Sequence, residues 1–162
     1  MHCSCDRCQH FCRNKPGWFT PDQIAPLARK LGLSIAELFK KYLTVDAVLM
    51  EEAGQMKAIY VLAPAMAERP AGAVSDPTEK GACTWFKEGK CEIHEVKPRE
   101  CGLVDHTTTR QEGDLLRASI LKSWLPHKKF IQNLYGKKLK PPEALKQAYR
   151  DAKQRRRSES TD

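Results

Sequence analysis

Read for its alternation of apolar and polar positions, the chain opens with a segment that has no regular period. His2 to Cys12 shows neither a helical nor a strand repeat, so something other than a hydrophobic core must order it. Two helices then announce themselves. Thr20-Pro21-Asp22-Gln23 is a capping box with proline at the first helical position. Ile24, Leu27, Ala28 and Leu31 follow on one face, and Gly32 stops the helix. Ser34-Ile35-Ala36-Glu37 is a second capping box, and Ile35, Leu38, Phe39 and Tyr42 make its apolar stripe. Val45–Met50 and Lys57–Ala63 are rich in strand formers and flank the turn-like Glu51-Glu52-Ala53-Gly54-Gln55, which predicts a β-hairpin. Pro64 to Lys80 reads as a connecting loop.

Farther along, Cys83-Thr84-Trp85-Phe86 and Cys91-Glu92-Ile93-His94 flank Lys87-Glu88-Gly89-Lys90, which predicts a short hairpin with cysteines at corresponding ends. Leu103 to Thr109 reads as one more short strand. After Gly113 the period is helical again: Leu116, Ile120, Leu121 and Trp124 share a face up to Pro126. His127 to Tyr135 predicts a further helix ended by Gly136. Pro141-Pro142-Glu143 starts a last one through Lys153, and the polar end from Gln154 to Asp162 is expected to fray. The fold class that results is α+β: a small metal-stapled domain with short hairpins, two N-terminal helices and C-terminal helices. Residues 1–109 form a cysteine-cluster metal-binding domain, and 110–162 a basic helical extension packing on it.

Composition narrows the function classes. With 162 residues the chain holds one domain, or one with a tail. Charged residues make up 30%. The longest uncharged apolar stretch, Ala58 to Ala67, falls far short of the ~20 residues a membrane span needs. Met1 to Cys8 contains no apolar signal core, which predicts a cytoplasmic protein with no membrane partner. The net charge of +8 is uneven: 14 Lys+Arg against 14 Asp+Glu up to Thr109, then 14 against 6 from Arg110 onward. A basic end can attract nucleic acid or an acidic protein. No stacking aromatics line it, so a solvated helical face is the preferred reading, with an unidentified protein partner ahead of nucleic acid.

The seven cysteines carry the chemistry. In a reducing compartment, clustered thiols hold metal more often than they form disulfides, and an odd number cannot all pair. Cys5 and Cys8 have the spacing at which two thiolates in one turn reach one ion; Cys12 and Cys3 lie close by. Cys83, Cys91 and Cys101 each fall beside a turn. Cys5, Cys8, Cys83, Cys91 and Cys101 are the foremost metal ligands, then Cys12, then Cys3. All are expected to converge on one centre. His10 and His94 are secondary nitrogen donors, and His106 is placed to line the site after Cys101. Thiolate-rich sites select zinc, Cu(I) or an iron–sulfur cluster, and four thiolates suit either zinc or 4Fe–4S. An iron–sulfur cluster is preferred over zinc, because sulfur dominates and seven does not divide into fours. No catalytic residue is assigned: a glycine-rich phosphate loop, a GxSxG elbow and an HExxH pair are all lacking.

These residues resemble the YkgJ-like family of cysteine-cluster proteins, described as zinc- or iron-chelating domains. That family shows C-x2-C-x2-C-C, then a helical stretch, then C-x-f-L…C-x-I-Y-x-x-R-P-x-x-C-R. Here Cys5-Asp6-Arg7-Cys8-Gln9-His10-Phe11-Cys12 matches, with Phe11 where the third cysteine would stand. Phe19 to Ile24 and Leu31 to Phe39 match the helical stretch, and Cys83 to Cys101 the downstream block. His94, Lys97 and Gly102 stand where the family has Tyr, Arg and Arg. The resemblance spans about Cys5 to Cys101 and implies a metal-binding domain without implying a reaction. A structural or electron-carrying role is the first expectation. Others are an oxidoreductase or methylating accessory that uses the cluster, and a zinc-stabilised binder of nucleic acid or a partner through the basic helices.

Overall fold

The computed structural model describes residues 5–159. Its hydrophobic centre forms where two helices cover the buried half of a long hairpin. Helix α2 (Pro21–Leu31) starts at the Thr20–Gln23 capping box and ends at Gly32, which takes the left-handed conformation with φ 65°. Helix α3 (Ile35–Tyr42) starts at Ser34, whose hydroxyl accepts the Glu37 N–H. Ile24, Leu27, Leu38 and Phe39 are fully buried on the facing sides. Strands β1 (Leu43–Glu52) and β2 (Gln55–Pro64) pair antiparallel from Leu43 opposite Pro64 to Glu52 opposite Gln55. The turn between them is Ala53-Gly54, both at positive φ, which suits a two-residue hairpin loop. The open end of the hairpin is buried and the turn end is exposed.

The connecting segment after β2 is held against β1. Gly72 and Ser75 donate to Leu43 and Val45 carbonyls, and Val45 donates to Ala73. The second hairpin is shorter than its sequence suggests: β3 (Phe86–Lys87) and β4 (Lys90–Cys91) pair Phe86 with Cys91. Cys83 therefore does not face Cys91 across the hairpin. It sits one turn earlier, where Phe86 N–H closes on the Cys83 carbonyl. Two further expectations are corrected. Helix α1 (His10–Arg13) occupies the end of the segment read as aperiodic, and its single turn is too short to leave a period. Leu103 to Thr109 is no strand. Helix α4 (Arg99–Leu103) ends there and a side-chain-capped turn follows.

The C-terminal helices close the core. Helix α5 (Arg110–Trp124) starts at a third capping box, Thr109–Glu112, and so before Gly113, after which the apolar period resumes. Ile120, Leu121 and Trp124 are buried with the hairpin residues in one cluster. The Trp124 indole donates to the Phe19 carbonyl at 2.7 Å. Helix α6 (Lys128–Tyr135) buries Ile131 and stops at Gly136. Helix α7 (Glu143–Glu159) continues past the expected fraying point and buries no residue. It rests on the hairpin tip, with Tyr149 donating to Glu51 and Lys153 beside it. Among the described residues, no helix is long and apolar enough to cross a membrane.

Candidate metal centre

The N-terminal turn is shaped by its own backbone. Gln9 N–H closes on the Cys5 carbonyl and Cys8 N–H points at the Cys5 sulfur from 3.4 Å, so both thiols emerge on the same side. Gln9 is the one buried residue between Cys5 and Lys15. Its amide donates to the Gly89 carbonyl and accepts from Arg13, which pins the turn to the second hairpin.

The third member comes from the far block. Asp105 accepts from the Thr107 hydroxyl and from the amides of Thr107 and Thr108, which holds its carboxyl below the usual range and locks a tight turn. Arg7 reaches across to the Thr108 carbonyl. His106, inside this turn, is thereby presented to the cysteines. Its Nδ1 lies 3.1 Å from the Cys8 sulfur and 3.9 Å from the Cys5 sulfur. Among the described residues, Cys5, Cys8 and His106 are the group of three metal-type side chains whose donor atoms all lie within 4.8 Å of one another. Two thiols and an imidazole at that separation fit one tetrahedral ion, whose donors stand about 3.4–3.8 Å apart for metal–ligand bonds of ~2.0–2.3 Å.

The remaining cysteines lie beside this group. Cys12 on α1, Cys83, Cys91 on β4 and Cys101 on α4 line one cavity of about 550 Å³, with Cys8 and His106 also in its wall. Backbone pairing draws the two blocks together there: Cys83 N–H donates to the Cys12 carbonyl, and Gly81 N–H to Asn14. The four sulfurs sense one another. Burial first, then Cys91 and Cys12, pushes the Cys83 thiol up to about 12. Burial likewise lifts Cys101 well above 9.0, with added repulsion from Cys12 and Cys83. Burial, then Cys91, raises Cys12. No three of these four meet the 4.8 Å separation, so they are spread more widely than ligands of one tetrahedral ion. Four thiols around a roomy cavity fit the donor set of a polynuclear cluster. Cys12, Cys83, Cys91 and Cys101 are free thiols.

The structure thus divides the predicted ligand set. Cys5 and Cys8 stand with His106, whereas Cys83, Cys91 and Cys101 stand with Cys12. Cys3 lies outside the described residues. His94 lines the cavity with its Nε2 3.0 Å from the Lys97 ammonium, and His10 turns away to Asn14. Sequence reasoning placed His106 near the site but did not rank it as a ligand. The signal was the Asp105-x-Thr107-Thr108 turn beside the last cysteine block, which was read as a strand. Comparison with protein-family models, with curated proteins and with solved structures found no match.

Proposed function

We propose that this chain is a metal-binding protein with two adjoining stations. Cys5, Cys8 and His106 hold a single ion, zinc by their sulfur and nitrogen donors. Cys12, Cys83, Cys91 and Cys101 hold an iron–sulfur cluster. The observation that carries the reading is the meeting of two cysteines with a histidine 98 residues away from Cys8, through a turn held by the Asp105 carboxylate. The resemblance to a zinc- or iron-chelating family supports it. So do the free thiols of Cys12, Cys83, Cys91 and Cys101, which call for a reducing compartment such as the cytoplasm. The single ion ties the N-terminal turn to the His106 turn, a structural task. The cluster, once bound, would supply one-electron chemistry.

The test is elemental and sulfide analysis, with an optical spectrum, on protein purified without air. Wild type should carry zinc together with iron and acid-labile sulfide. His106→Ala should lose zinc and keep iron, and Cys91→Ser should do the reverse. Metal-free wild type overturns the proposal. Zinc alone, lost equally in both variants, replaces it with a single zinc centre.

A further inference from the structure

Glu100 is a buried acid that neither station uses. It is 1% exposed and sits next to Cys101 on α4, with its carboxylate on the side away from the four-thiol cavity. One carboxylate oxygen accepts the Trp18 N–H at 2.8 Å, and Glu100 N–H returns to the Trp18 carbonyl at 3.3 Å. The other oxygen has no hydrogen-bond partner. The Arg117 Nε lies 3.2 Å away as an ion pair, with the guanidinium stacked 4.3 Å over the Trp18 ring. Burying a carboxylate is costly even with a guanidinium beside it, and a further contact of the same segment adjoins it.

That contact is the residue before Trp18. Gly17 packs directly on the Cys101 sulfur: a Cβ at Gly17 would stand 2.9 Å from it and 3.0 Å from the Glu100 Cβ. Only a residue without a side chain lets the backbone come this close. The Gly17 backbone therefore lies directly against the Cys101 sulfur. The residues after it are fixed as well: Phe19 donates to the Leu62 carbonyl, and the Trp18 indole donates to Asp46.

We infer that Glu100 is a positioning residue for the sulfur beside it: by accepting the Trp18 N–H, it holds the Gly17 N–H on Cys101 and so sets the electron density of that ligand. This rests on the reading of Cys101 as a cluster ligand. An amide aimed at a thiolate withdraws charge from it, and hydrogen bonds to ligand sulfurs are a principal control of cluster potential. Through Arg117 the same carboxylate links the centre to α5.

The experiment compares wild type, Glu100→Leu and Glu100→Gln, each reconstituted with iron and sulfide. It reads metal content, midpoint potential and hydrogen exchange at the Gly17 amide. Glu100→Leu should keep its iron, exchange Gly17 at least tenfold faster and show a lower midpoint potential. Glu100→Gln, whose amide oxygen can still accept from Trp18, should restore both. A purely structural ion pair predicts the opposite ranking of causes: both variants melt earlier, with potential and exchange unmoved, and that result overturns the inference. Wild type alone also decides it, should Glu100→Leu not fold, because an unprotected Gly17 amide in the metal-loaded protein rules the contact out. If wild type takes up no iron, the cluster reading fails instead. Slow Gly17 exchange in the metal-free protein would then still register the Glu100 contact.

Discussion

At the scale of single residues, burial decides what each thiol does. A cysteine in a dry pocket resists ionisation, and a neighbouring thiol adds to that resistance. Cys83 is the clearest case, pushed up to about 12 by burial and then by Cys91 and Cys12. In the unfolded chain it titrates near 9.0, so the folded state holds its proton more tightly. The resulting stability is complete below about pH 9 and is lost as pH climbs toward 12. Chelator-treated protein should therefore melt at progressively lower temperature between pH 8.5 and about 11. Cys83→Ala should show a shallower slope, and parallel slopes would contradict the assignment. Gly17 makes a complementary point. A single methyl there collides with the Cys101 sulfur and the backbone beside it, so Gly17→Ala should lower iron content in purified protein more than Gly113→Ala, whose site is open.

Among the elements, caps and anchors can be separated energetically. Three helices start at capping boxes, and at α3 and α5 the cap hydroxyl accepts the N3 amide directly. Thr109→Ala should cost about 1 kcal/mol in urea unfolding. Trp124→Ala should cost roughly 3–5 kcal/mol, because it empties a fully buried site and removes the indole bond to Phe19. The two values would be comparable only if α5 were attached loosely. Helix α7 is the contrast. It buries nothing and meets the hairpin tip through Tyr149 and Lys153 to Glu51, exposed contacts that are worth little. A chain ending at Pro142 should melt within a few degrees of the full chain by calorimetry.

For the molecule as a whole, two kinds of order coexist. The hairpin, α2, α3, α5 and α6 share one apolar core. The N-terminal cysteine turn has almost none: between Cys5 and Lys15 only Gln9 is buried. Polar locks hold it, and on the proposed function a bound metal would add to them, worth about 10–16 kcal/mol at a structural zinc site. Removing metal should raise hydrogen exchange first in residues 5–16 and 81–106, while amides of β1, β2 and α2 stay protected. Uniform loss of protection would mean that metal holds the core as well.

The local signals written in neighbouring residues were legible without coordinates: the capping boxes at Thr20 and Ser34, the stops at Gly32 and Gly136, the first hairpin and the cysteine spacings. Each depends on contacts within a few positions, where period and turn chemistry act directly. The α+β class followed from them. The partition of the ligands was not legible, because it depends on contacts across about a hundred residues. Nothing in the order of cysteines shows that Cys12 sides with Cys83, Cys91 and Cys101, or that the Asp105 turn carries His106 to Cys8. Which sulfurs lie near one another is settled by how two hairpins and a pair of turns pack on the common core, and so by the fold in three dimensions.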